Sequence, residues 1–552
     1  LRYSRNFMSQ NLVIVESPAK AKTIEKFLGP GYIVKSSIGH IRDMPKKDMG
    51  IDIENNFQPT YTISTDKKKV VADLKKSAKA ATKIYLATDE DREGEAIAWH
   101  LQQALSLAED TPRIVFHEIT KGAITEAISK PRTINTDLVN AQQARRIIDR
   151  LVGFEISPVL WRKISGARSA GRVQSPVVRL VVEREREISA HKPTSSHKVK
   201  ATLTNSIGES LEARLSEDFK SKENAMDFVQ SILDSTMKVE SVETKPSKRS
   251  PKAPFITSTL QQEASQKLGF SVKQTMSIAQ NLYREGVITY MRTDSLTLSE
   301  LAITAAQEVI VSKFGSDHHH ARRYKTNSTG AQEAHEAIRP TDLTKPTILG
   351  LDEQSAKLYS LIYKRTLASQ MSDAQLQKTK ININISNRSE RFIADGEMLT
   401  FGGFLEVYDY MAAEDKLLPK IDKGDALSLM DLTSKESFSR AKPRYTEASL
   451  VKEIEQMGIG RPSTFATMIT TVQDRNYVLK DTREGIQRDY QLIEIVDGVI
   501  SESIQTETTG AEKNKLFPTN VAYLLVDFLV KNFRNIIGYE FTANLETDFD
   551  LI

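Results

Sequence analysis

The 552-residue chain contains no cysteine. That excludes disulfides, a thiol nucleophile and any Cys-ligated zinc or iron–sulfur site within it, and it suits a reducing cytoplasm. No apolar run approaches the roughly 18 residues a membrane-spanning helix needs. Charge of one sign is not in large excess: the net charge is +4, so a nucleic-acid partner would be met by local basic patches. The Gly-x-x-x-x-Gly-Lys-Ser/Thr phosphate cradle of ATP-driven enzymes is missing, as is any internal repeat. With 39% hydrophobic and 27% charged residues, the chain reads as globular, with roughly three to five domains. Residues 1–7 precede Met8, the expected natural start. The chain stops inside a continuing helical pattern, which suggests a C-terminal truncation.

Residues 11–15 form a short apolar run that reads as a buried strand. Ser17 is a good N-cap and Pro18 suits a first helical turn, leading into an amphipathic helix at 21–28. Alternating strand and helix signals to about residue 116 predict a parallel α/β layer. Helical periodicity covers 121–188, 257–313, 447–477 and the tail from 519. Strands are expected within 198–242, at 380–386 and at 424–430. The Lys-, Ser- and Pro-rich stretch 244–254 reads as a linker or hinge. Three adjacent histidines, His318, His319 and His320, lack the spacing that lets metal ligands share a face, and read as an exposed loop.

The run Asp89-Glu90-Asp91-Arg92-Glu93-Gly94-Glu95 puts five acidic side chains between a strand at 83–88 and a helix from Ala96. Carboxylates crowded at the C-terminal edge of a parallel sheet repel one another. A hard divalent cation relieves this, and Mg²⁺ takes only one or two carboxylates plus waters and phosphate oxygens. The run also reads as a solvated acidic helix start, because acids favour helix N-termini. Glu16 ends the first strand at the same edge. Lys20, one helical turn on, can reach a phosphate there or simply be solvated.

Four further stretches carry candidate chemistry. In Tyr290-Met291-Arg292, an extended backbone points the tyrosine and the arginine to one face. That gives either a nucleophile beside a phosphate clamp or a half-buried tyrosine with a surface arginine. Arg146 and Arg150 share a helix face, and Asp149 can pair with Arg145. After Trp161-Arg162-Lys163, the stretch Arg168-Ser169-Ala170-Gly171-Arg172-Val173-Gln174 is too rich in small residues for an ordinary helix. Its amide N–H groups could serve phosphates. His335 sits among acids and also reads as an exposed polar helix start; Gly460-Arg461-Pro462-Ser463-Thr464 turns into a helix whose N–H groups and arginine suit a phosphodiester, or is an ordinary helix–turn–helix connection.

Taken together and in order, these motifs resemble the type IA topoisomerases, and the stretch 445–464 looks more like their bacterial topoisomerase I branch than topoisomerase III. Leu12-Val13-Ile14-Val15-Glu16-Ser17-Pro18-Ala19-Lys20 is similar to the first Toprim motif, Asp89 to Glu93 to its Asp-x-Asp-x-Glu motif, and 288–295 to the nucleophile motif. The resemblance runs from Asn11 to the end. It implies a multidomain fold, α/β plus α and β: an N-terminal Toprim α/β domain with helical and β-rich domains in a four-domain ring around a central hole. Toprim would span 11–125, a helical DNA-binding domain 126–192 and 445–552, a β-rich arch 193–255 and 375–444, and the helical domain carrying the nucleophile 256–374.

The resemblance further implies an ATP-independent enzyme that cuts one DNA strand through a 5′-phosphotyrosine on Tyr290, passes a strand and religates, relaxing negatively supercoiled DNA. Arg292 would steady the scissile phosphate. Glu16, Asp89, Asp91 and Glu93 would hold Mg²⁺, with Glu16 also a proton donor and Lys20 an electrostatic helper. His40, Arg145, Arg146, Arg150, Arg162, Arg168, Ser169, Ala170, Gly171, Arg172, Val173, Gln174, His335 and Arg461 would touch DNA. The implied protein is a cytoplasmic, nucleoid-associated bacterial monomer with no zinc in this chain and no membrane partner. Glu90 and Glu95 have no part in the resemblance and are expected as solvated acids. The alternatives are a topoisomerase III-like decatenase and a non-catalytic DNA-binding relative.

Overall fold

The computed structural model describes residues 10–325, 336–409 and 416–552. Strand Asn11–Val15 lies between the parallel strands Tyr32–Ser36 and Ile84–Leu86. Both faces of this small sheet are covered, as parallel sheets require. Alternation splits its residues: Val13 and Val15 pack with Phe116, Ile119 and Ile124, while Leu12 and Ile14 pack with Val71, Leu74 and Leu101. The helix after the first strand is Pro18–Leu28, one turn earlier than its apolar pattern suggests. The Ser17 hydroxyl accepts from the Lys20 amide at 3.3 Å and Pro18 opens the helix.

Helices Lys121–Ser129, Thr136–Lys163 and Gln174–Ala190 fill the region expected to be helical, and the small-residue stretch before Gln174 is indeed non-helical. Helices Glu447–Gln456, Phe465–Asp474, Asn520–Asn532 and Tyr539–Leu551 supply the tail. Most of them share one apolar cluster with Thr136–Lys163 and Gln174–Ala190, built around Leu160, Val178, Ile469 and Leu525.

The largest sheet among the described residues is antiparallel, with eight strands in the order Met237–Arg249, Ala374–Ile385, Arg391–Phe401, Ser210–Leu215, Ser195–Thr204, Ala426–Phe438, Ile486–Val496, Val499–Thr509. Met237 and Lys238 also pair with Leu427 and Ala426, so the first six strands close on themselves. Two expectations are corrected here. Most of 244–254 is not a linker: Thr244 to Arg249 pair residue by residue with Thr379 to Ala374. Pro246 is tolerated because, beyond Lys238, this strand has an open edge. The hairpin 486–509, inside the span 445–552 expected as part of a helical domain, joins the sheet through Ala426–Phe438.

Helices Thr257–Glu263, Val272–Arg284, Glu300–Phe314 and Glu353–Ser369 form a helical body. Its core is continuous with that of the parallel sheet: Ile278, Leu282 and Tyr290 share one cluster with Val13, Val15 and Phe116. The segment around Tyr290 is extended and pairs on both sides in short pieces rather than as a full strand. The Thr289 amide donates to the Arg339 carbonyl at 2.9 Å and the Tyr290 amide to the His117 carbonyl at 2.8 Å. Gly286 makes this approach possible. Its φ is +76°, and a Cβ there would sit 2.4 Å from the Ile119 carbonyl oxygen. Gly286→Ala is therefore expected to combine left-handed strain with backbone overlap and cost about 2–4 kcal/mol. Calorimetry should show a lowered unfolding temperature; an unchanged value would refute the close approach.

Candidate active site and nucleic-acid groove

The acidic run leaves the sheet at Leu86 and turns into helix Arg92–Leu105, whose N-cap is Asp91. One Asp91 oxygen accepts from the Gly94 amide at 2.8 Å. Gly94 is obligatory, because a Cβ would lie 2.0 Å from the Asp89 carbonyl oxygen. Beneath the loop, the fully buried Arg113 donates to the carbonyls of Thr88 and Asp89 at 2.9 and 2.6 Å, and to Glu95 at 3.1 Å. Glu95 also accepts from Arg132 at 2.6 Å and from the Asn135 amide at 2.7 Å. Burial would raise its pKa, but these donors outweigh burial and the net shift is downward. Glu90 is buried and paired with His117. The expectation of solvated acids at Glu90 and Glu95 is thus wrong: both are structural anchors beneath the loop.

Lys20 is neither solvated nor open to a ligand in this state. Its side chain has no exposure; its ammonium lies 2.9 Å from Glu16 and 2.8 Å from Asp89, above the rings of Phe116 and Tyr283. Burial opposes the charge, yet Asp89 and Glu16 together raise the Lys20 pKa. Asp89 responds oppositely: burial lifts it and Lys20 more than reverses that. Glu16 is pushed up to about 7 by burial and by the neighbouring Asp89. The Tyr290 hydroxyl donates to the other Asp91 oxygen at 2.7 Å, and an Arg292 nitrogen lies 3.6 Å from that same oxygen. Burial, with Asp89 and Asp91 nearby, raises the Tyr290 pKa well above its ordinary value.

A family profile described as Toprim domain matches residues 11–119, and one described as DNA topoisomerase matches 133–511. The chain is 43% identical to DNA topoisomerase 1 of Streptomyces coelicolor, over 98% of this chain and 60% of that protein. It is 41% identical to DNA topoisomerase 1 of Escherichia coli, over 99% and 64%, and 43% identical to that of Campylobacter jejuni, over 99% and 76%. The chain belongs to the DNA topoisomerase family. A solved structure of full-length topoisomerase I from Thermotoga maritima superposes with a TM-score of 0.83 at 37% identity, covering 98% of this chain and 86% of that one. The chain spans about 60% of the length of the Streptomyces relative.

In this topoisomerase-family chain, Glu16, Asp89, Asp91 and Glu93 all line one cavity of about 330 Å³, together with Arg292. They do not form a ready-made metal cluster among the described residues; Asp89 is engaged by Lys20, Asp91 by Tyr290 and Glu93 by His40 at 2.5 Å. One buried oxygen of Glu16, Oε2, has no hydrogen-bond partner. This donor set fits Mg²⁺, which needs only one or two carboxylates from protein.

A second cavity of about 300 Å³ brings His40, Arg145, Arg146 and Arg461 beside Asp91 and Arg292. Arg146 pairs with Asp43 at 2.8 Å. The expected Asp149–Arg145 pair is not made: Asp149 takes Arg172 at 2.9 Å and Arg145 takes Glu546. Arg150 is spent on the carbonyls of Pro45, Asp48 and Met49. Arg162 is exposed at its helix end. The amides expected to be available in the 168–174 stretch are largely used internally. Those of Arg168 and Ser169 donate to the Tyr477 hydroxyl at 2.8 and 3.0 Å, Ala170 to Ser157 and Gly171 to Ser175. Arg172 is fully buried, Val173 packs against an apolar cluster, and Gln174 accepts from Arg475. His335 lies outside the described residues. Sequence reasoning missed Arg113, His117, Tyr283, Glu546 and Asp550; the last two, one turn apart on a helix, were the legible pair.

His100 backs the second cavity. It is buried against Tyr61, Trp99 and His40, and its Nδ1 has no partner. Burial, then Arg42 and His40, push its pKa down to about 3. The unfolded chain takes up a proton near pH 6.5 and the folded protein does not, so this stability is present above pH 6.5 and lost as pH falls. Between pH 6.5 and 4.5 the loss is about 2.5 kcal/mol. Urea unfolding should show the wild type losing that much more than His100→Phe; parallel pH profiles would refute it.

Proposed function

We propose that this chain is an ATP-independent type IA DNA topoisomerase that opens one strand through Tyr290 and relaxes negatively supercoiled DNA. The observation that carries the reading is the Tyr290 hydroxyl bonded to Asp91, with Arg292 reaching the same oxygen and Glu16 lining the same cavity as Asp91 and Arg292. In the proposed cleavage, the Tyr290 oxygen bonds to phosphorus and the bond from phosphorus to the 3′ oxygen breaks. The phenol proton passes to Asp91, Glu16 gives its proton to the leaving oxygen, and Arg292 offsets the phosphate charge. A phenol with a strongly raised pKa cannot be ionised beforehand, so attack and proton loss occur together. Religation is the reverse. The phosphotyrosine conserves the energy of the broken bond, which is why no ATP is required.

Mg²⁺ would be held by carboxylates among Glu16, Asp89, Asp91 and Glu93 and would supply charge neutralisation at the phosphate. Lys20 keeps Glu16 and Asp89 together. His40, Arg145, Arg146 and Arg461 would follow the strand backbone, with the exposed Arg162 and Arg168 further along it. The segments assigned above to Toprim, helical, arch and nucleophile domains would form the ring whose opening admits the second strand. The protein would act as a monomer at the bacterial nucleoid.

The deciding comparison is Tyr290→Phe against the wild type, on negatively supercoiled plasmid with Mg²⁺. Relaxation is expected to fall at least about a thousandfold while single-strand binding stays within about threefold. Relaxation that survives the substitution would overturn the proposal, and decatenation far exceeding relaxation would favour a topoisomerase III-like role.

A further inference from the structure

Helix Tyr539–Leu551 lays two carboxylates, one turn apart, against four arginines from four other segments. The two are not equivalent. Glu546 is 1% exposed and joins Arg145 to the fully buried Arg172, a strut inside the fold. Asp550 instead lines the arginine-rich cavity beside Arg292 and Asp91. One of its oxygens takes Arg92 at 2.5 Å and the other takes Arg461 at 2.5 and 3.1 Å.

Two guanidinium groups closed on the two oxygens of one anion is the geometry with which arginines receive a phosphodiester. Arg461 does not depend on Asp550 alone for its place. Arg461 also donates to the carbonyls of Gly458 and Gly460 at 3.3 and 2.8 Å, which fixes it on its own turn. Arg92 is the first residue of its helix, directly after Asp91, and its buried Nε has no partner. The pair is therefore built to hold an anion, and Arg92 has donor capacity that one carboxylate leaves unfilled.

We infer that Arg92 and Arg461 form a strand-phosphate subsite beside the nucleophile and that Asp550 occupies it in the free protein as an internal substitute. This rests on the proposed DNA-cleaving function. A strand entering the groove exchanges a backbone phosphate for the Asp550 carboxylate. The substitute lowers the affinity of the empty groove for any polyanion and keeps the two arginines apart from Asp91 until a strand displaces it.

The test is fluorescence anisotropy with a labelled single-stranded oligonucleotide across a salt series, in a Tyr290→Phe background so that no strand is cut. Asp550→Asn is expected to tighten binding about tenfold, and to steepen the log–log salt dependence by about 0.7 for each phosphate newly engaged. Asp550→Glu should behave like the parent, and Asp548→Asn, the same charge change at an exposed position on the same helix, should move the affinity less than about twofold. Arg92→Gln, with Asp550 intact, should weaken binding about fivefold. Unchanged or weaker binding by a folded Asp550→Asn protein would overturn the inference, as would unchanged binding by Arg92→Gln. A parent that binds no single-stranded DNA would instead overturn the proposed function itself.

Discussion

A lysine ammonium with no exposure, closed between two carboxylates, is the constraint on which the site depends. Removing a single charge from water costs several kcal/mol unless partners meet it with good geometry. Lys20 meets that condition only if Glu16, at the end of the central strand, and Asp89, beyond the end of its neighbour, converge above Phe116 and Tyr283. The parallel register of the two strands provides the convergence. Gly94 and Arg113 then shape the loop so that Asp91 points the other way, at Tyr290. Four carboxylates share the cavity with the Arg292 cation, and two of them, Glu16 and Asp89, hold the Lys20 ammonium. The surplus negative charge is what a divalent cation would offset in the proposed reaction.

The same burial sets the protonation of both ends of the proposed cleavage. It lifts Glu16 to about 7 and holds the Tyr290 phenol protonated. In the proposed cleavage, a tyrosine kept as a phenol and an acid with a raised pKa would make a resting site that stays inert without a strand. Continuity of the core from Val13 and Val15 to Leu282 and Tyr290 matters for this reason. The tyrosine is desolvated only while the helical body rests on the sheet, so proton positions and the seating of the two units are a single condition.

The local signals in the sequence were reliable where one residue type has one physical use. Ser17 before Pro18 marked the first helix, the apolar run at Asn11–Val15 marked the central strand, and small residues before Gln174 marked a non-helical turn. Reading failed where tertiary pairing decides. Residues 244–249 look like a linker by composition and are a strand because Ala374–Ile385 lies alongside. Glu90 and Glu95 look like solvated acids and are anchors because His117, Arg113 and Arg132, distant in sequence, come beneath them. The catalytic candidates were legible because a motif concentrates them. The partners that commit the charges of the groove arginines, Glu546 and Asp550, lie 89 to 458 residues away on a helix with no motif of its own.

That distribution of partners bears on how a chain with a net charge of only +4 could hold a polyanion. Its groove arginines are already paired: Arg146 is on Asp43, Arg145 on Glu546, Arg92 and Arg461 on Asp550. Strand binding in such a groove is an exchange of anions rather than the neutralisation of bare cations. Exchange costs less reorganisation, because guanidinium groups already held against carboxylates are oriented for phosphates of similar charge and bonding geometry. It also penalises partial occupancy, since a ligand that displaces a carboxylate without supplying a phosphate leaves a buried arginine unmatched. In the proposed function, selectivity for a continuous strand over scattered anions would follow from the pairing itself, without an excess of positive charge.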